Sequence, residues 1–159
     1  MNYTITRESF SSLTSYWSDP GQQLQWNSIF VLPIWLEVWW QEFGSGAELY
    51  LSTVRQGEKV IGMAPLQVKE GKASFIGSAN VCDYLDFVVA PGREPDFFNV
   101  LLDELRKQGI RNLNLESLRP DSTVQTCLVD IARNRGYEVL CHPEDVSLDA
   151  DHFSGGDCG

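Results

Sequence analysis

Two short stretches carry acidic and amide side chains at strand spacing. In residues 83–90, DYLDFVVA, an extended chain puts Tyr84, Asp86 and Val88 on one side and Asp83, Leu85 and Phe87 on the other. In residues 111–118, RNLNLESL, Asn112, Asn114 and Glu116 share a face. A carboxylate such as Asp86 or Glu116 can orient an amine nucleophile or take its proton as a general base. Tyr84, Asp86, Asn114 and Glu116 are therefore the candidate substrate-binding residues, with Asp86 and Glu116 the candidates for catalysis. The same residues also suit a plainer arrangement. Asp83 and Asp86 could make turn or strand-edge hydrogen bonds, with Asn112, Asn114 and Glu116 facing solvent. Spacing leaves both open.

Aromatic residues form the next cluster. Trp35, Trp39 and Trp40 fall at helical spacing within residues 33–44, PIWLEVWWQEFG. With Trp17 and Trp26 they could stack on a sugar or an acyl chain. Clusters of this kind more often serve cores and interfaces, and an interface is the reading adopted. His142 and His152 lie among Asp149, Asp151 and Asp157 at no metal-ligand spacing, so no metal site is expected. Cys82, Cys127, Cys141 and Cys158 form no C-x-x-C pair, and free thiols are expected. G-x-S-x-G, H-E-x-x-H and P-loop patterns are absent.

A chain of 159 residues fits one domain with a sizeable core, and 43% apolar with 21% charged residues is the balance of a folded soluble protein. No apolar run approaches the roughly 20 residues that cross a bilayer. The N-terminal residues, MNYTITRESF, lack the basic-then-apolar order of a signal peptide, so the cytoplasm is the expected compartment. The net charge of −10 would repel phosphate backbones, which argues against a nucleic-acid partner.

The candidate residues need strands and helices to position them. Residues 3–5 read as a strand and 7–17 as a helix capped by Thr6, closed by Asp19-Pro20-Gly21. Residues 22–31 read as irregular. Pro33 suits the first turn of a helix that ends near Gly44. Its apolar residues go nearly all round (Ile34, Trp35, Val38 and Trp39, then Leu36, Trp40 and Phe43), which calls for cover on more than one side. Residues 48–55 and 59–69 read as a hairpin turning at Gln56-Gly57, continued by a strand at 73–76. A strand at 84–90 ends at Pro91-Gly92. A helix follows over 96–108 with Phe97, Phe98, Leu101, Leu102 and Leu105 on one face, ended by Gly109. A strand at 111–118, a helix at 122–135 and a strand at 138–141 complete a domain over 1–141. The acidic residues 142–159 are expected to be loose.

Residues 33–44, 60–66 (VIGMAPL) and 83–92 (DYLDFVVAPG) together resemble the N-terminal half of the CelD-like, cellulose-biosynthesis-type acetyltransferases. That family is distantly similar to the Fem aminoacyltransferases and carries two GNAT-type folds in tandem. The resemblance covers about residues 25–140, one such fold. It implies an α/β GNAT-like fold, a mixed central sheet flanked by helices, with a cleft where the strands at 84–90 and 111–118 splay. It implies N-acyl transfer to an amine, acetyl-CoA as the donor, and a backbone N–H near Val88 or Val89 that polarises the reacting carbonyl. The family's diphosphate loop, Q/R-x-x-G-x-G/A, falls on residues 92–97, GREPDF, where only Gly92 and Arg93 suit an anion. Pro95 removes a donor, and Glu94 and Asp96 bring negative charge, so weak donor binding is expected here.

Two functions follow. One is an acyltransferase-type domain that is incomplete alone and needs a second GNAT-like half. The other is a non-catalytic binding or assembly module, with a homodimer covering the apolar helix at 33–43.

Overall fold

A computed structural model describes residues 3–19, 24, 26, 29–44, 46–77 and 84–150. Eight strands form one mixed sheet: β1 Tyr3–Arg7, β2 Glu48–Gln56, β3 Lys59–Lys69, β4 Lys72–Phe75, β5 Val88–Val89, β6 Asn112–Leu115, β7 Glu138–Cys141 and β8 Val146–Asp149. The order across it is β1-β2-β3-β4-β6-β8-β7, with β5 also paired to β3. Among the described residues, β4 with β6 is the one parallel pairing. The helices are α1 Phe10–Ser18, α2 Pro33–Phe43, α3 Glu94–Lys107 and α4 Val129–Asn134, the last entered through a π turn at Val124–Leu128.

The strand β3 organises the site. Its residues 66–69 pair with β4, and its residues 62 and 63 pair with β5 along the same edge. The chain leaves that edge after Ile76, whose N–H donates to Pro65 O, and rejoins it at Val88. What was expected as one strand over 84–90 is therefore paired to its neighbours as strand only at Val88–Val89.

Helices pack on both faces. A Cβ on Gly62 would fall 2.2 Å from Phe97 Cδ1, so glycine here lets α3 lie directly on β3. The apolar face of α3 is as its periodicity predicts, with Phe97, Phe98, Leu101, Leu102 and Leu105 all buried. Phe75, Phe87, Phe97 and Phe98 meet edge to face at centroid distances of 5.0–5.9 Å. Met63 and its partner Thr53 point to the opposite face. There Thr53 Oγ1 donates to Glu8 Oε2, which Tyr16 of α1 and Arg55 also reach.

Several boundaries depart from those expected. Ser9, not Thr6, caps α1: Ser9 Oγ accepts from Ser12 N, and Ser12 Oγ accepts from Ser9 N. Thr6 is instead in β1, opposite Thr53. The acidic stretch expected to be loose contains β8, which sits between β6 and β7 and buries Val146 and Leu148 completely. Two buried apolar residues and two ladders of backbone hydrogen bonds outweigh the acids beside them. Residues 151–159, with His152 and Cys158, lie outside the described residues, as do Pro20, Gly21, Cys82 and Asp83. Trp39 is 6% exposed and belongs to the core, and Trp35 and Trp40 are half-buried against it. The outward apolar residues of α2 are Ile34, Val38 and Phe43. Among the described residues no helix is long and apolar enough to cross a membrane.

Candidate functional site

The site lies where β5 and the end of β6 part. β6 is held to β4 through Asn114, opposite Ser74, and beyond that point the two halves of the sheet diverge. Residues 84–87 cross the gap. Leu85 N–H donates to Ser117 O at 2.9 Å, while Leu85 and Phe87 are buried.

Asp86 anchors this crossing. Its carboxylate accepts from Thr123 Oγ1 at 2.6 Å, Thr123 N at 3.0 Å and Phe87 N at 2.8 Å. Thr123 opens the helical segment that becomes α4, and Ser122 Oγ takes the N–H of Gln125 beside it. Asp86 therefore caps a helix from another part of the chain, supplying an acceptor for an N–H without an intrahelical partner. Burial raises its pKa from 3.8 to about 6, against the opposing pull of the bonds from Thr123 and Phe87.

Asp86 and Glu116 were expected to line one cleft, and they do not meet. Glu116 is exposed and lines a cleft of about 130 Å³ with Ser74, Phe75, Gly77, Leu85 and Asn114. Asn112, Asn114 and Glu116 share a face as their spacing predicts, and that face is polar because Leu113 and Leu115 take the core side. Tyr84 is 46% exposed and belongs to a second depression, beyond Ser117.

The backbone at β5 has one chemically suggestive property. Val88 and Val89 are buried and pair with Met63 and Gly62. Ala90 N–H donates to Ile61 O. Alternation along an antiparallel ladder then turns the Val89 N–H away from β3, to the side of the gap.

The loop that follows is built as a tight turn. Arg93 N–H donates to Ala90 O at 3.0 Å, and Gly92 takes φ +83°, which a glycine adopts without strain. A Cβ at Gly92 would meet nothing within 4 Å, so the turn and not a close neighbour requires glycine. The Arg93 guanidinium bonds Tyr3 Oη, Gln56 Oε1 at 2.6 Å and Asp96 Oδ2 at 3.4 Å. These bonds, Tyr3 foremost, hold its pKa above the ordinary arginine value. Pro95 lacks an N–H, and Phe97 N–H is already donated to Arg93 O. Of the five N–H donors in residues 92–97, those of Arg93 and Phe97 are thus engaged, Pro95 adds none, and the Glu94 and Asp96 carboxylates lie in the first turn of α3.

Ser117 was not singled out by its sequence. It is 8% exposed and takes φ +61°, a left-handed conformation uncommon outside glycine. No one-residue signal marks it, because the conformation is imposed by two flanking bonds, Leu85 N–H to Ser117 O and Leu118 N–H to Glu144 O.

A mixed sheet that opens between β5 and β6, with a turn and a helix after β5, is the architecture of the GNAT N-acetyltransferases, and solved structures agree. The ribosomal-protein-S18-alanine N-acetyltransferase of Escherichia coli aligns over 92% of this chain and 90% of its own, at 16% identity and TM-score 0.52. The acetyltransferase yncA of Salmonella typhimurium, solved with acetyl-CoA, aligns over 99% of both chains at 13% identity and TM-score 0.50. A tandem GNAT protein of the clavulanic acid pathway aligns over 87% of this chain and 45% of its own, at 14% identity and TM-score 0.50. No family model and no curated protein matches the sequence. The chain has the GNAT fold.

Proposed function

We propose that this chain is the acceptor-side domain of an N-acyltransferase of the CelD-like kind, one that relies on a second domain to hold the acyl donor. The observation that carries this reading is the start of α3, where Pro95 has no N–H, the Arg93 and Phe97 N–H groups are taken, and Glu94 and Asp96 set two carboxylates where a diphosphate would lie. The Val89 N–H, turned toward the gap, would polarise the donor carbonyl. An amine held near Asn114 would attack that carbonyl and expel the thiolate or the donor's other leaving group. Glu116 would accept the proton the amine loses, since it is exposed at the cleft while the oxygens of Asp86 are taken up by Thr123 and Phe87. The tandem GNAT protein, of which this chain spans under half, offers a precedent for two such folds in one molecule.

Calorimetric titration of acetyl-CoA into the purified chain tests this. No heat is expected below millimolar ligand. Micromolar binding, or acetylation of an amine panel by the chain alone, would overturn the assignment of the donor to another domain.

The second reading, a non-catalytic assembly module, is favoured by one observation: Ile34 and Val38, one turn apart on α2, are 69% and 52% exposed. A dimer mass by light scattering that Val38→Glu returns to monomer would favour it. A monomer at all concentrations tested would remove it.

A further inference from the structure

The depression beyond Ser117 belongs to none of the roles above. It measures about 370 Å³ and is lined by Tyr84, Ser117, Leu118, Pro120, Pro143 and Glu144. That is within the usual size of a small-molecule site, whereas the cleft at Glu116 is about 130 Å³. Its floor is the buried pair Ser117–Leu118, and its rim is Tyr84, two prolines and Glu144, all exposed.

We propose that this depression binds a small organic cation, an ammonium group on a compact ring or hydrocarbon body. The inference rests on the cavity alone and not on the acyl-transfer reading. Three properties point to it. First, the rim offers apolar contact from Leu118, Pro120, Pro143 and the Tyr84 ring, and one formal charge, the Glu144 carboxylate. No basic side chain among the described residues pairs with Glu144. Arg119 lies at the rim, 4.7 Å from the Tyr84 ring centroid, and its charge is paired with Asp121 at 3.4 Å. One face of the Tyr84 ring thus already holds a cation, so the ligand's charge is assigned to Glu144 and its body to the apolar rim. The chain's net charge of −10 draws cations toward it as a whole.

Second, Ser117, 8% exposed, lines the floor of the cavity. A hydroxyl there can accept a hydrogen bond from an ammonium group. Third, Ser117 holds φ +61°, where glycine would sit without strain. A strained residue persists when its surroundings over-determine it, and such strain collects at binding sites. The surroundings here are the two bonds that fix the walls. Leu85 N–H to Ser117 O places Tyr84, and Leu118 N–H to Glu144 O places Glu144 and Pro143. The site is organised before any ligand arrives, which lowers the ordering cost of binding.

Amide chemical shifts of the full chain, titrated with benzylamine and separately with benzyl alcohol as its neutral isostere, test the proposal. Benzylamine should shift the Ser117, Leu118 and Glu144 amides saturably, and benzyl alcohol should bind roughly tenfold more weakly. Glu144→Gln should weaken benzylamine by a similar factor. Ser117→Gly separates binding from folding: it should raise the melting temperature by about 2–4 °C as the strain is released, and still weaken the amine. No saturable shift at these amides, equal binding of the alcohol, or undiminished binding by Ser117→Gly would each overturn the proposal. Acetyl-CoA titration reads a different part of the fold, so failure here leaves the donor question where it stands.

Discussion

Replacing Asp86 with asparagine should reverse part of this protein's dependence on pH. Asp86 is 8% exposed, and burial raises its folded pKa to about 6 from the 3.8 of an unperturbed carboxyl. The folded state therefore binds this proton more tightly than the unfolded state does. The contribution of the group is fully present below the unfolded pKa of 3.8 and is lost as pH rises through about 6, because ionising the buried carboxyl costs more folded than unfolded. A difference of about 2 pKa units corresponds to about 3 kcal/mol. Asparagine keeps the shape and one acceptor for Thr123 but cannot ionise, so it lacks this slope. The assay is urea unfolding at steps from pH 4 to pH 8, followed by tryptophan fluorescence, for both proteins. Other carboxylates contribute equally to both and cancel in the difference. Wild-type stability minus that of Asp86→Asn should fall by about 2 kcal/mol between pH 4 and pH 7. A difference that stays flat with pH, or that grows, would refute the view that Asp86 is held in the protonated direction by its burial.

Two further substitutions test the packing that places the site. Gly62→Ala drives a methyl into the Phe97 ring, which is fully buried and cannot swing away, and should cost about 1–3 kcal/mol in urea unfolding; an unchanged midpoint would mean that α3 does not lie on β3 at this distance. Leu148→Ala removes a fully buried side chain from β8 and should cost about 2–5 kcal/mol, with loss of amide protection across residues 146–149; a neutral outcome would return those residues to a loose tail.

Much of the framework was legible because its signals are local. The hairpin of β2 and β3, the helix after Pro33, the apolar face of α3 and the strand β7 all follow from periodicity and a nearby breaker. β8 escaped notice although Val146-Ser147-Leu148-Asp149 alternates in burial. Four residues of alternation inside an acidic stretch say little until β6 and β7 are placed on either side. The cap of α1 was misplaced for a similar reason. Thr6 and Ser9 are both fair caps, and only the pairing of β1 with β2 through Arg7 decides which one the helix can use.

Sequence alone determined which residues were polar among apolar strands, and that Pro95 would take one donor from the turn after Gly92, because residue type and a missing N–H are facts of covalent structure. Tertiary structure alone decided what those residues do. Asp86 and Glu116 lie 30 positions apart and look alike in sequence. Only the chain's crossing between β5 and β6 turns one into a buried helix cap and leaves the other at a cleft. The same crossing, through two backbone bonds from residues more than 25 positions away, holds Ser117 in a conformation that no local preference would choose. A carboxylate's burial and a serine's dihedral angle depend on neighbours that the sequence brings together only by folding.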